Sequence, residues 1–142
     1  MKVEVKRRLD APAAMVFADV SDFGNLARLD IVATCTVNGH GVGAIRTVTF
    51  ADAALGRVVE RLEAYDPVGR TFSYSIINDD CALPVSDYLA TVRVIEDGEH
   101  GCVLSWGSEF QLQHMQEADA KVMFEEFYTK AIEAARCAIT KS

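Results

Sequence analysis

The sequence predicts an α+β fold in which a curved, seven-stranded antiparallel sheet wraps around one long C-terminal helix. Two observations carry this prediction. Between residues 31 and 111, apolar and polar residues alternate in six runs separated by short turn-forming breaks. From 116 to about 139 the apolar spacing lengthens to that of a helix. The resulting order is strand, two short helices, six strands and one long helix. It contains no repeat, low-complexity tract or linker, so one domain over residues 1–142 is expected.

VEVKRRL (3–9) alternates as a first strand. Asp10 then stands where an N-cap belongs, and Pro12 sits early in the helix, where its missing N–H costs least. Met15, Val16, Phe17 and Val20 give that helix, roughly 12–20, an apolar face. SDFGNLARL reads as a second helical turn or two, capped by Ser21 or Asp22 and weakened by Gly24. The strands of the meander are 31–38, 43–50, 56–65, 70–77, 86–95 and 102–111. Their breaks, NGHG, ADAAL, DPVG, NDDCALP and EDGEHG, hold residues that end strands and reverse the chain. In the last helix Ala120, Phe124, Phe127, Tyr128, Ala131, Ala135 and Ala138 form one stripe. The alanines are small, so either the helix packs very close to the sheet or a cavity remains. Close packing is expected toward the C-terminal end, and a cavity around Phe124–Ala131.

Composition narrows the function. A net charge of −7 argues against nucleic-acid binding, which needs clustered Lys and Arg. MKVEVKRRLD has basic residues but no apolar run behind them, so no secretory signal is expected. No segment approaches the roughly 20 apolar residues of a membrane span. Cys35, Cys81, Cys102 and Cys137 are scattered without close pairing, as expected of reduced thiols in a cytoplasmic protein. His40, His100 and His114 lie near loops with no partner at metal-ligand spacing, and neither a metal nor a cofactor is expected.

RVVERLEAYD (57–66) holds the pattern's anomaly. Val58, Glu60, Leu62 and Ala64 share the more apolar face, so a carboxylate lies among core residues. If ADAAL is the loop, Val48 pairs with Val58 and Arg46 falls opposite Glu60, on a face shared with Val48 and Phe50. A buried ion pair is tolerable where a lone buried charge is not. Three readings follow: a polar anchor in an apolar cavity, a solvated pair at a rim, or a register slipped by one residue. Further along, Tyr74 and Ile76 share a face with Phe72, Tyr88 shares one with Ala90, and Trp106 shares one with Ser108. Rings with polar tips on one concave face line pockets for apolar ligands, and each alone also serves as core. The candidate ligand-binding set is therefore Arg46, Val48, Val58, Glu60 and Leu62, with Tyr74, Ile76, Tyr88, Ala90, Trp106 and Ser108 from later strands. The helix adds Phe124, Phe127, Tyr128 and Ala131.

Other groupings carry less. Ser105, Ser108 and His114 lie near one another without a nucleophile elbow, and NGHGVG precedes a strand rather than a helix. Asp79 and Asp80 fall in a loop and are expected to be solvated.

With these residues in place, the chain resembles the START-like, helix-grip superfamily (SRPBCC), in its polyketide cyclase/dehydrase branch. The matching stretches are LDAPAAMVFADVSDFGNLARL, GVGAIRTVTF, RVVERLEAYDP, PVSDYLATVRV, CVLSWGSEF and the long final helix. The resemblance implies a sheet gripping the C-terminal helix around a hydrophobic cavity. Plant abscisic acid receptors, distant relatives, have a similar basic, Glu and Tyr pattern, which falls here on Arg46, Glu60 and Tyr88. It also implies that ADAAL and NDDCALP are closing loops over the pocket mouth. Two departures stand out. Trp106 occupies a position that is acidic in the receptors, and ADAAL lacks their proline, so hormone sensing is not implied.

The leading expectation is a protein that binds a hydrophobic or aromatic small molecule, lipid or polyketide-like, with Arg46, Glu60 and Tyr88 orienting its polar end. An enzyme of cyclase/dehydrase type is the alternative, with Glu60 as general base and Tyr88 or Tyr74 as hydrogen-bond donor. A protein-interaction or quinone-chaperone module is the third. A monomer or homodimer without stable membrane insertion fits all three.

Overall fold

The computed structural model describes residues 1–140. Seven strands form one antiparallel sheet: β1 (Lys2–Leu9), β2 (Val32–Asn38), β3 (Ile45–Phe50), β4 (Arg57–Asp66), β5 (Thr71–Ile76), β6 (Val85–Glu96) and β7 (Cys102–Leu112). Their spatial order is β1-β7-β6-β5-β4-β3-β2. Thus β2 to β7 form a continuous meander, and β1 adds beside β7. Helix α1 (Ala13–Val20) and a 3-10 turn (Asn25–Arg28) carry the chain from one edge of the sheet to the other. Helix α2 (Glu117–Thr140) closes the sequence and packs on β1, β7 and α1.

Alternation produces this sheet because period-two patterning sends apolar side chains to one face. On β6 the inward residues Tyr88, Ala90, Val92 and Val94 are all buried, and β7 matches them with Leu104, Trp106, Ser108 and Phe110. Across α2, Ala120, Phe124, Tyr128, Ala131, Ile132 and Ala135 are buried against them. Ile132, outside the expected stripe, is fully enclosed, while Phe127 and Ala138 are only half-buried.

Several expectations are corrected. Pro12 itself occupies the N-cap position of α1, without a side-chain cap; Asp10 instead accepts a hydrogen bond from Arg8. Met15 is half-exposed and Ala13 takes its place on the buried face. The second helix is a single 3-10 turn entered from Gly24, because the Asp22 carboxylate binds the Gly24 N–H (3.1 Å) and keeps the chain in a turn. The ADAAL loop contains another 3-10 turn, Ala53–Leu55, capped by Asp52 on the Ala54 N–H (3.0 Å). It ends on Gly56 at φ 61° and ψ −125°, a conformation that favours glycine.

Ala64 does not share the inward face of Val58, Glu60 and Leu62. A β-bulge between Leu62 and Ala64 inserts one extra residue against β5, so Tyr65 rather than Ala64 pairs with the buried Phe72. Ala64 is exposed, and the Tyr65 ring stacks on Phe17 at 5.8 Å. A second bulge, on β6 between Ser86 and Leu89, contains Asp87 at φ 52° and Tyr88.

Candidate functional site in the cavity between sheet and helix

Arg46 and Glu60 are cross-strand partners on β3 and β4, as are Val48 and Val58. Arg46 is 2% exposed and Glu60 6%, which rules out both the solvated rim and the slipped register. Two Arg46 nitrogens, Nε (2.9 Å) and Nη2 (2.7 Å), donate to the same carboxylate oxygen, Glu60 Oε1. Nη1 donates to the Phe23 carbonyl at 3.1 Å, tying the sheet to the loop after α1. The guanidinium also packs against two rings, with its central carbon 4.0 Å from the Phe23 centroid and 4.6 Å from that of Tyr74.

This arrangement leaves Glu60 Oε2 without a protein hydrogen bond among the described residues. No described buried side-chain polar atom is fully enclosed without a partner, so Oε2 borders open space. Burial lifts the Glu60 pKa above its ordinary value, opposed by the charge and hydrogen bonds of Arg46. Burial works against the Arg46 charge too, but the Glu60 carboxylate and Tyr74 outweigh it and the pKa rises.

The open space is a cavity of about 50 Å³ between the sheet and α2. From the sheet, Val48, Val58, Glu60, Tyr74, Ile76, Tyr88 and Trp106 line it; from α2, Phe124, Phe127, Tyr128 and Ala131 do so. The remaining expected residues stand elsewhere. Arg46 lies behind Glu60, while Leu62, Ala90 and Ser108 are buried in the core but do not form the wall. Ala90 sits in register between Tyr74 and Ser108, and its small side chain leaves room for the larger groups on either side. Five wall residues were missing from the expected set: Leu26, Leu29, Val32, Phe50 and Leu83. Phe50 shares the face of Arg46 and Val48, and that periodicity was its signal. Leu26, Leu29 and Leu83 come from turns and loops, where alternation gives no facing. Of the two expected closing loops, the second reaches the wall through Leu83; the first places Leu55 against the core instead.

Two hydroxyl groupings complete the site. Trp106 Nε1 donates to the Tyr74 hydroxyl at 3.0 Å. Burial, reinforced by the Glu60 charge, pushes the Tyr74 pKa up to about 12. Tyr128 donates to Ser108 Oγ at 2.5 Å, and its hydroxyl lies 2.5 Å from that of Tyr88. The single Tyr128 proton goes to Ser108, so Tyr88 is the donor in the second contact. Burial, with the neighbouring tyrosines, raises both phenols well above their ordinary value. Around them Phe110 and Phe124 pack at 4.8 Å, and Phe50 meets Phe127 edge-on at 5.4 Å.

No helix among the described residues is long and apolar enough to cross a membrane. The cysteines are all free thiols, with Cys102 buried and Cys137 exposed.

Comparison with known proteins places this geometry. The chain is similar to MLP-like protein 423 of Arabidopsis thaliana, with 31% identity over 96 residues. The match takes in 66% of this chain and 60% of that protein, so it spans less than two thirds of the relative's length. Among solved structures, protein XoxI of Bacillus cereus superposes with a TM-score of 0.83 at 23% identity, covering 96% of this chain and 94% of that one. Norcoclaurine synthase of Thalictrum flavum, in complex with dopamine and hydroxybenzaldehyde, superposes with a TM-score of 0.78 at 18% identity, covering 99% and 87%. These superpositions show the shared helix-grip fold. The family described as polyketide cyclase/dehydrase and lipid transport matches residues 1–139, and the chain belongs to it.

Proposed function

We propose that this protein binds a hydrophobic or aromatic small molecule between the sheet and α2. One observation carries the reading: an apolar cavity walled by both layers, into which a buried carboxylate turns an oxygen that no protein group occupies. A satisfied core would not leave an acceptor in that state. The cavity of about 50 Å³ is well below the roughly 300–1,000 Å³ of drug-sized ligand pockets. Ligand entry therefore widens it. The wall segments suited to yield are the 3-10 turn bearing Leu26 and the loop bearing Leu83, which lie outside the strand ladder.

The single tryptophan of the chain, Trp106, lies on the cavity wall and serves as a reporter. Native mass spectrometry of protein purified from its own host should reveal a retained small molecule, and adding that molecule to stripped protein should shift Trp106 emission saturably. Ligand-free protein from the host, with emission indifferent to a panel of naphthalene-sized aromatics and fatty acids, would overturn the reading.

A second reading rests on the raised pKa of Glu60 and its free oxygen: the same site acts as a cyclase/dehydrase-type enzyme with Glu60 as general base. Glu60→Gln separates the two. Binding alone predicts a change in affinity without turnover, whereas catalysis predicts a rate loss far exceeding the affinity loss. Four free thiols suit a reducing compartment such as the cytoplasm, and the net charge of −7 makes nucleic acid an unsuitable partner.

A further inference from the structure

The hydrogen-bond inventory of the cavity wall specifies the polar end of the ligand. Resting on the binding reading, we infer that the ligand presents a hydroxyl, as in a phenol or alcohol, to Glu60, and that carboxylates are excluded.

Arg46 is committed to neighbours other than a ligand. Its Nε and Nη2 donate to Glu60 Oε1 and its Nη1 to the Phe23 carbonyl, and the Phe23 and Tyr74 rings pack against its guanidinium. An anion entering the cavity does not meet Arg46, which lies behind Glu60 and is not part of its wall. It meets Oε2 instead, a like charge in a low-dielectric space. The basic residue that would ordinarily suggest an acid-binding pocket acts here as the support that aims a carboxylate.

The hydroxyls narrow the choice further. The Tyr88 proton is given to Tyr128 and the Tyr128 proton to Ser108, so neither phenol has a proton to offer a ligand. Tyr74 differs. Its oxygen accepts from Trp106, and its own proton enters none of the hydrogen bonds among the described residues. The wall thus offers one strong acceptor, Glu60 Oε2, and one available donor, the Tyr74 hydroxyl. They stand on the adjacent strands β4 and β5, where Tyr74 pairs with Leu62 and Glu60 with Ile76, so they are diagonal neighbours on one face. A hydroxyl both donates and accepts and can satisfy the two together. An ammonium donates only, and an ether or ketone accepts only. A hydrogen bond to a charged acceptor contributes roughly 1.5–3 kcal/mol, enough for tenfold discrimination or more.

The test compares three probes sharing one ring system, 2-naphthol, 2-methoxynaphthalene and 2-naphthoate, by calorimetry and Trp106 emission on the wild-type protein at neutral pH. The expected result is that 2-naphthol binds at least about tenfold tighter than either of the others. In the double variant Arg46→Met/Glu60→Leu, the preference of 2-naphthol over its methyl ether should shrink to about twofold or less. Should that variant fail to fold, the wild-type comparison still decides. Equal or tighter binding of 2-naphthoate would show that Arg46 re-pairs with anions, and equal binding of the ether would show that no donor is required. Either result overturns the hydroxyl inference and leaves the binding reading standing. If none of the three binds, the binding reading itself falls and takes this inference with it.

Discussion

Arg46 and Glu60 illustrate how much one pair of residues sets. The pair has been removed from water, and a partner lost from such a pair leaves the other charge stranded. Arg46→Met is expected to lower stability by about 3–5 kcal/mol in urea denaturation, and adding Glu60→Leu should recover most of that loss. A double variant as unstable as the single one would mean that Arg46 acts through Phe23 and Tyr74 rather than through Glu60. The raised pKa of Glu60 also fixes a pH dependence. In the folded state this group holds its proton to higher pH than in the unfolded chain. Its contribution is therefore complete below the ordinary carboxylate value of 4.5 and is lost as pH rises through the raised folded value. Wild type should accordingly lose more stability than Glu60→Gln over that rise, and parallel pH profiles would contradict the assignment. The facing of this pair was legible in the sequence, since both residues sit in strongly alternating strands joined by a short loop. The free oxygen was not, because it depends on which two nitrogens choose which oxygen.

At the scale of elements, the regular parts were readable and the irregular parts decided the details. Every strand and the long helix were anticipated to within a residue or two at most ends, as alternation and helical period allow. The helical turn after α1 was anticipated too, but not its 3-10 form, which follows where the Asp22 side chain binds the backbone at Gly24. Nor was the bulge in β4, since one extra residue leaves the alternating pattern intact on either side and only the pairing with β5 exposes it. Wall residues from the turns, Leu26, Leu29 and Leu83, were missed for the same reason. The β3–β4 connection yields a prediction. Gly56 holds a backbone conformation open to glycine and strained for other residues, so Gly56→Ala should cost about 1–3 kcal/mol by thermal or chemical denaturation. An unchanged midpoint would mean that the turn relaxes to another form.

Across the whole molecule, sheet and helix meet closely where alanines and Ile132 face the strands, and part where Phe124 to Ala131 border the cavity. The sequence anticipated this division from the size of the helix residues, but not how far the aromatic rings would fill the gap. Ala131→Leu, which directs a larger side chain into that gap, should abolish the emission response to 2-naphthol at a stability cost of about 1–3 kcal/mol. Retained binding would place the ligand elsewhere. The cavity has one more consequence, in mechanical terms. A folded state that encloses unfilled space occupies more volume than its unfolded, hydrated chain, so hydrostatic pressure favours unfolding. Filling the space with a ligand removes that excess, and the pressure at half-unfolding should rise for reasons of density as well as affinity.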